Sequence, residues 1–468
     1  MHSIPVSEHL NPNHVSIPQN SQEPKHATDC NTAHILHVAR DEMDPALNIL
    51  INGAGIAGTT AAFFLAQAGA RVTILERSSA LRKEGQAVDV RGHGLAILRR
   101  MGLERAACER ATGEAGLQMI NAQGHCSVEF PVADGSGFTG GIEIVRGELV
   151  SLLWEATRSK VEYIFGESIE TLSSSLSGID VTFTNSGRAR HFDIVIGADG
   201  WASTTRKLAF GHDVSAQAIH PLGRWVVWFN IPRISGDGEW ARWYVAPGKR
   251  MLLLRPETSG TTGVSLWISD LAFEPKQFAS ASLAEQKTVW ATHFRGLGWQ
   301  EARLLDGFNA AEHFHTQEIV QVKLEALTRD RVALVGDAAS CPCPISGLGT
   351  TIAFVSSYVL AREIVNNPRR HKDAFDAYEG KMVPFTRRAQ VLAPCAPGMI
   401  NLSSIVSIWL LHLLILVTRW SGVVHAIAAF YRPPAAAIDL SVYDIGPVED
   451  PCPSMTPLRN WLKEVAPR

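Results

Sequence analysis

Thirty-one residues, Leu47–Arg77 (LNILINGAGIAGTTAAFFLAQAGARVTILER), constrain this chain more than any other stretch. Leu47–Ile51 is a short apolar run of the kind that fills a buried parallel strand. Gly53, Gly55 and Gly58 follow with the spacing G-x-G-x-x-G. Ile56–Ala68, rich in Ala and Leu, predicts a helix that Gly69 stops. Arg71–Leu75 predicts a second apolar strand, and Glu76 closes it 23 residues after Gly53.

Each glycine has a mechanical role in such a unit. Gly53 makes the tight turn, Gly55 lets a pyrophosphate approach the backbone, and Gly58 lets helix and strand pack closely. The helix N-terminus then offers free N–H groups and partial positive charge to the phosphates. Glu76 stands where it can accept hydrogen bonds from the ribose hydroxyls. A lone G-x-G-x-x-G is weak evidence. This one follows a strand, opens a helix and meets its acid at the expected distance, so it reads as a dinucleotide site. It does not separate FAD from NAD.

At 468 residues the chain has room for two or three domains. A net charge of −3 gives no basic surface for nucleic acid. The seven cysteines are scattered, without a disulfide framework or zinc spacing. We therefore expect no metal site and a reducing, cytoplasmic compartment. Residues 1–45 are polar, lack the apolar core of a signal peptide and are too acidic for a mitochondrial presequence. They read as a disordered extension.

Beyond Arg77, Gly85–Arg91 (GQAVDVR) reads as a loop. It is either solvated or crosses back to the cofactor, with Arg91 near the phosphates or ring ahead of a helix Leu95–Met101. Leu117–Phe130 predicts two strands around a glycine-containing turn. Ile142–Arg146 predicts a strand leading into a helix Gly147–Ser159, with Arg146 at the junction. Ligands of α/β sheets bind at such strand ends. Phe192–Ile196 predicts a buried strand ending in Gly197-Ala198-Asp199-Gly200, then a helix with Ser203, Thr204 and Thr205 as cap candidates.

Residues 211–325 hold Trp225, Trp228, Trp240, Trp243, Trp267, Trp290 and Trp299. Strands are expected at Arg224–Asn230, Ala241–Val245, Met251–Arg255 and Gly263–Ile268, and a helix at Leu283–Phe294. The tryptophans read either as core or as an aromatic face over a flat ligand. Arg331–Val335 predicts a strand ending in Gly336-Asp337-Ala338-Ala339. The Pro- and Gly-dense run SCPCPISGLG (340–349) follows, then a helix Thr350–Val365. A further helical stretch, Asp373–Leu392, is expected to kink or break at Pro384.

The tail carries Ile405–Val417, thirteen almost wholly apolar residues, then Arg419. A spanning helix needs about 20 apolar residues. The run therefore packs on the body or rests on a membrane surface, the two readings left open here, with a true span disfavoured.

Three motifs now stand in order: GAGIAG at 53–58, GADG at 197–200 and GDAA at 336–339. The set resembles the single-component FAD-dependent aromatic monooxygenases typified by para-hydroxybenzoate hydroxylase, over residues 47 to 392. ILERS at 74–78, QAVDVRG at 86–92, EIVRGEL at 143–149 and Pro344–Gly349 are similar to the tetracycline-inactivating and polyketide-tailoring branch. Ser340 departs from the family, which often has His there.

The resemblance implies an α/β fold: a Rossmann-like FAD domain (46–210 and 331–395), a β-sheet substrate domain (211–330) and an apolar helical tail (396–468). It implies that Glu76 binds the adenosine ribose, Arg77 lies beside the adenine, Arg146 holds FAD and Asp337 bonds the ribityl chain. Asp199 would serve FAD and the NADPH approach. Pro344 and Gly347–Gly349 would lie by the flavin ring. NAD(P)H would reduce FAD, and the reduced flavin would activate O₂ for transfer to an aromatic or enolic polyketide-like molecule. On Ala241–Val245, Arg242 and Tyr244 share one strand face, and the resemblance makes them candidates for substrate positioning. The chain would work as a monomer or homodimer, with peripheral membrane contact through the tail as an option. A flavin oxidoreductase without oxygen transfer, a halogenase and a non-catalytic flavoprotein are the rival readings. Trp225-Val-Val-Trp228 has two residues in its gap where the halogenase motif has one.

Overall fold

The computed structural model describes residues 47–82, 85–132, 141–269, 278, 281–392, 402–420 and 438–443, all within one compact unit. The extension 1–45 and most of the tail lie outside these residues.

The apolar runs at 48–52, 71–76 and 194–197 become the centre of a six-stranded sheet. Its order is Thr328–Arg329, Val332–Leu334, Ile194–Gly197, Asn48–Asn52, Arg71–Glu76 and Glu162–Phe165. The pairings are parallel except for the first. Both faces are covered, which is why these strands are apolar without alternation. Ile49 and Ile51 pack toward helix Ile56–Gln67, whereas Leu50, Leu75 and Val195 pack toward a three-stranded antiparallel sheet, residues 169–192. Helix Ile56–Gln67 is itself sandwiched by the long helix Gly349–Asn366.

A second sheet has seven strands in the order Phe314–Val322, Ile219–Pro232, Thr261–Ile268, Arg250–Pro256, Trp240–Ala246, Gly116–Ile120 and Cys126–Pro131. The hairpin 116–131 precedes the second cofactor motif in sequence yet completes this sheet. It joins through a parallel pairing of Gly116–Ile120 with Trp240–Ala246. Helices Leu283–Phe294 and Glu301–Ala310 cover one face, burying Trp290, Phe294, Leu304 and Phe308 against Val227, Phe229, Leu252 and Leu254. Leu283–Phe294 begins at the expected residue because Ser282 and Glu285 form a reciprocal capping box.

Three local expectations change. The stretch GQAVDVR is a strand rather than a loop: Ala87–Val90 pairs antiparallel with Ile142–Val145. Helix His371–Ala389 runs through Pro384 without interruption, and the carbonyl that a proline ring crowds, four residues back, belongs to Gly380. Strand Phe314–Val322 and helix Glu301–Ala310 had no counterpart in the sequence reading.

In the tail, helix Ile405–Trp420 lays Ile408, Leu411 and Ile415 on Leu117, Val128, Phe130 and Ala241. The His412 ring pairs with Ser127 Oγ at 2.9 Å. Its other face leaves Val406, Trp409, Leu410, Leu413 and Val417 exposed. No helix among the described residues is long and apolar enough to cross a membrane. Residues Ile438 to Tyr443 return to the body, where the Tyr443 carbonyl accepts from Tyr358 Oη at 3.2 Å and Tyr443 Oη from Lys381 Nζ at 2.6 Å.

Candidate flavin site

The site grows from the carboxyl ends of the central strands. Gly53 turns the chain at φ +114°, donating its N–H to Leu75 O at 2.7 Å. Gly58 sits so close beneath that turn that a Cβ there would lie 1.9 Å from Gly53 O. A Cβ on Gly55 would meet nothing within 4 Å. Gly55 is the N-cap of helix Ile56–Gln67 and no side chain caps it. Open space above uncapped N–H groups is what a diphosphate requires.

Glu76 is fixed at the adjoining strand end. Its carboxylate accepts from Ala54 N at 3.1 Å and Ser78 N at 3.0 Å, leaving further lone pairs for ribose hydroxyls. Arg77, next along, is exposed, and its charge is felt at His315.

The third motif closes against the first. Gly336, at φ +59°, brings the turn so near helix Ile56–Gln67 that a Cβ would lie 2.8 Å from Ala57 Cβ. Asp337 follows, half-buried. Burial raises its carboxyl, and the nearby Arg146 pulls the other way. Arg146 begins helix Arg146–Thr157, held by its N–H on Gln86 O at 3.1 Å, with its side chain exposed. The structure thus brings Arg146 and Asp337 near each other from positions 191 residues apart in the chain.

Beyond Asp337 the loop 340–349 lines the cleft. Pro344 is exposed, and Gly347 is left-handed at φ +63°. Gly349 begins helix Gly349–Asn366, whose N-terminus also has no side-chain cap. Arg91 lies against this loop: a Cβ on Gly347 would be 2.8 Å from Arg91 Nη2. Ser340, the departure from the family pattern, serves structure, its Oγ accepting from Gln390 Nε2 at 2.9 Å.

Two expectations need correction. Asp199 spends its carboxylate on the protein. Oδ1 accepts from Ser203 Oγ at 2.5 Å, and Oδ2 from Asn52 Nδ2, Thr205 N and Thr205 Oγ1 at 3.0–3.2 Å. It knots the strand end to helix Thr204–Phe210, where the expected Ser203 cap is present. Arg242 and Tyr244 do share a face of their strand, but it is the face under the helices. Tyr244 is buried, donates its hydroxyl to Leu297 O at 2.6 Å and packs edge-on to Trp299. Arg242 points toward Cys126 and Gly238.

The face toward the flavin loop carries the alternate residues. Val226, Met251, Trp267 and Ile319 pack with Cys343 and Ile345 of the loop, joined by Trp228 and Trp243. Trp228 stacks on His315 with centroids 5.7 Å apart. Burial keeps the His315 imidazole below its ordinary value, and Arg146, Arg82 and Arg77 add to this. Arg224, also buried, lies near Cys343. Sequence reasoning missed His315 because its strand was not recognised. The alternation His315, Gln317, Ile319, Gln321 in FHTQEIVQV was the available signal, and Gln321 Nε2 does reach Pro342 O at 3.1 Å.

Comparison with known proteins agrees with this geometry. The family model described as "FAD binding domain" matches residues 46–392. FAD-dependent monooxygenase asL4 of Sarocladium schorii is 34% identical over 369 residues, covering 74% of this chain and 86% of its own. Monooxygenase CTB7 of Cercospora beticola is 31% identical over 415 residues, covering 85% and 98%. The crystal structure of tetracycline destructase Tet(51) superposes with a TM-score of 0.68 at 26% identity, covering 81% of this chain and 98% of that one. With two uncapped helix N-termini, an open cradle at Gly55 and Asp337 beside Arg146, the chain belongs to the FAD-binding-domain family of FAD-dependent monooxygenases, with FAD as cofactor and NAD(P)H as reductant.

Proposed function

We propose that this monooxygenase oxygenates a flat, electron-rich aromatic or enolic natural-product intermediate, held between the tryptophan-bearing sheet face and the loop 344–349. The observation that carries this reading is the cluster of Val226, Met251 and Trp267 with Cys343 and Ile345, which, with the partly buried Trp228 and Trp243, seats the tryptophan-bearing sheet face beside loop 340–349. FAD, when bound, supplies hydride acceptance from NAD(P)H and activation of O₂. Glu76, Arg146 and Asp337 would hold it, and the N-terminus of Gly349–Asn366 would favour negative charge on its ring. The protein's remaining tasks are to orient the substrate and keep water out. Trp228, Trp243 and Trp267 offer stacking surfaces, each aromatic pair contributing about 0.5–1.5 kcal/mol beyond area burial. Arg224 offers a cation for a phenolate or enolate, and His315 a neutral imidazole. Residues 46–210 and 331–395 then carry the cofactor and 211–330 the substrate, with the hairpin 116–131 counted on the substrate side.

The test is coupling. Trp228→Ala and His315→Gln should lower product formed per NAD(P)H by roughly tenfold, about 1.4 kcal/mol in the oxygenation barrier, and raise H₂O₂ release. FAD content should stay unchanged. Tyr244→Phe, on the far face, should leave coupling as in wild type. Uncoupling by Tyr244→Phe, with wild-type behaviour of the other two, would move the substrate to the wrong side of the sheet for this reading.

The same proposal takes the working form as a monomer or a homodimer in the cytoplasm. The exposed apolar face of Ile405–Trp420 supports a further reading, that the tail rests on a lipid surface without crossing it. Its exposed Val406, Trp409, Leu410 and Leu413 match an interfacial helix, and no helix among the described residues is long and apolar enough to span. Wild-type protein should co-float with vesicles of neutral and anionic lipid, and the double variant Trp409→Ser/Leu413→Ser should stay behind. Equal behaviour of the two would remove lipid from the picture.

A further inference from the structure

Five ionisable side chains meet where the substrate sheet sits on the two-stranded ribbon of Ala87–Val90 and Ile142–Val145. Asp89 and Glu143 stand directly opposite each other across the ribbon. Glu114 enters from the segment that precedes strand Gly116–Ile120. Arg255 descends from the flavin-side face of strand Arg250–Pro256 and pairs with Glu143 through Nη1, while its Nε lies 3.7 Å from Glu114 Oε2. Arg91 pairs with Asp89, and the same guanidinium lies against Gly347 of the flavin loop.

Among the described residues of the cluster, three carboxyls stand with two guanidiniums. Glu143 and Asp89 each hold an arginine in close contact, and Glu114 has the long contact only. The Glu114 side chain is 1% exposed. Neither of its carboxyl oxygens has a hydrogen-bond partner among the described residues. An ionised carboxylate buried to this degree, with no close donor among the described residues, is costly, and a proton on the cluster removes that cost.

We propose that Glu114 is a positioning residue: it holds one proton in the cluster Asp89–Arg91–Glu114–Glu143–Arg255, and through that cluster the charge state of the substrate sheet reaches the loop that holds the flavin. With the proton in place, Arg255 belongs to Glu143 and Arg91 to Asp89, and Arg91 keeps its position beside Gly347. Without it, a third buried negative charge competes for both guanidiniums. Either Arg255 is drawn from Glu143 or Arg91 is drawn from the loop. Burial pushes the Glu114 carboxyl up to about 7; Arg255 opposes that push and Asp89 adds to it. The charged groups acting on Glu114 are thus Arg255 from the seven-stranded sheet and Asp89 from the ribbon, and these are in turn paired with Glu143 and Arg91. The folded chain keeps a proton that the unfolded chain releases near 4.5, so both stability and flavin retention should decline as pH rises from there through about 7.

The experiment is equilibrium dialysis of the holoenzyme, reading the FAD dissociation constant between about pH 5.5 and about pH 8.5. Wild type should weaken at least about threefold across the interval, with a midpoint near the Glu114 value. Glu114→Gln, permanently neutral, should be flat at the wild-type low-pH affinity. Glu143→Gln frees Arg255 for Glu114, so its midpoint should move to lower pH. Superimposable profiles for wild type and Glu114→Gln would overturn the proposal. If Glu114→Gln does not fold, the Glu143→Gln midpoint decides alone: a downward shift supports the assignment, and an unchanged or upward midpoint refutes it.

Discussion

Gly55→Val is expected to purify as a folded but colourless protein, and Gly58→Ala as a poorly folded one. The two glycines lie three residues apart in one motif, but the structure gives them different work. A Cβ at Gly55 meets no other heavy atom within 4 Å, and its φ of −80° suits any residue. What a valine would occupy is the space over the helix N-terminus, where the diphosphate belongs. Losing that approach should weaken FAD binding by at least about a hundredfold, or about 2.7 kcal/mol, with little change in unfolding midpoint. At Gly58 the added Cβ would lie 1.9 Å from Gly53 O and 3.2 Å from Ile51 Cγ2. Strand, turn and helix must separate to admit it, at a cost of about 3 kcal/mol or more. Absorbance of the bound flavin and urea unfolding distinguish the two cases. A yellow Gly55→Val protein would show that the diphosphate lies elsewhere.

Arg206→Ala should destabilise the fold by about 3–5 kcal/mol, the scale expected when a buried charged partner is deleted. Arg206 is fully buried. Its Nη1 donates to Ala338 O at 2.9 Å, its Nη2 to Trp201 O at 2.7 Å and its Nε to Ser215 Oγ at 3.0 Å. One guanidinium therefore ties the turn after the second motif to the turn of the third. Burial lowers its basicity, and Asp199 offsets part of that. Removing it leaves two carbonyls and a hydroxyl buried without their donor. Arg206→Lys keeps the charge without the fork and should recover only part of the loss. Denaturant unfolding of the three proteins decides it; a loss under about 1 kcal/mol for Arg206→Ala would mean that water replaces the guanidinium.

The cofactor half of the molecule was legible because its constraints are local. Gly53, Gly58 and Gly336 each answer to a backbone a few ångströms away, and the strands beside them are buried on both faces, so the sequence pattern is steep. The substrate side was legible only as strands. Alternation put Arg242 with Tyr244 and apart from Trp243, as observed, but which face meets the flavin depends on where helices Leu283–Phe294 and Glu301–Ala310 pack. That is a long-range fact with no local signature, and it puts Arg242 and Tyr244 on the face under the helices. Asp199 is a different case: its carboxylate is engaged by Asn52, Ser203 and Thr205, which no spacing reveals. The cluster around Glu114 joins positions 89, 91, 114, 143 and 255, and only the stacking of sheet on ribbon brings them together.

The seven-stranded sheet takes strands from both sides of the second cofactor motif, and this bears on how such an enzyme can be re-engineered. If this sheet sets specificity, as proposed, a new specificity cannot be installed by cutting out one continuous cassette. Exchanging residues 219–322 alone would leave the recipient's own hairpin, Gly116–Pro131, at the sheet edge, paired in parallel to a foreign strand in place of Trp240–Ala246. A chimera built from this scaffold therefore has to carry two inserts, with the hairpin travelling alongside the strand it was matched to.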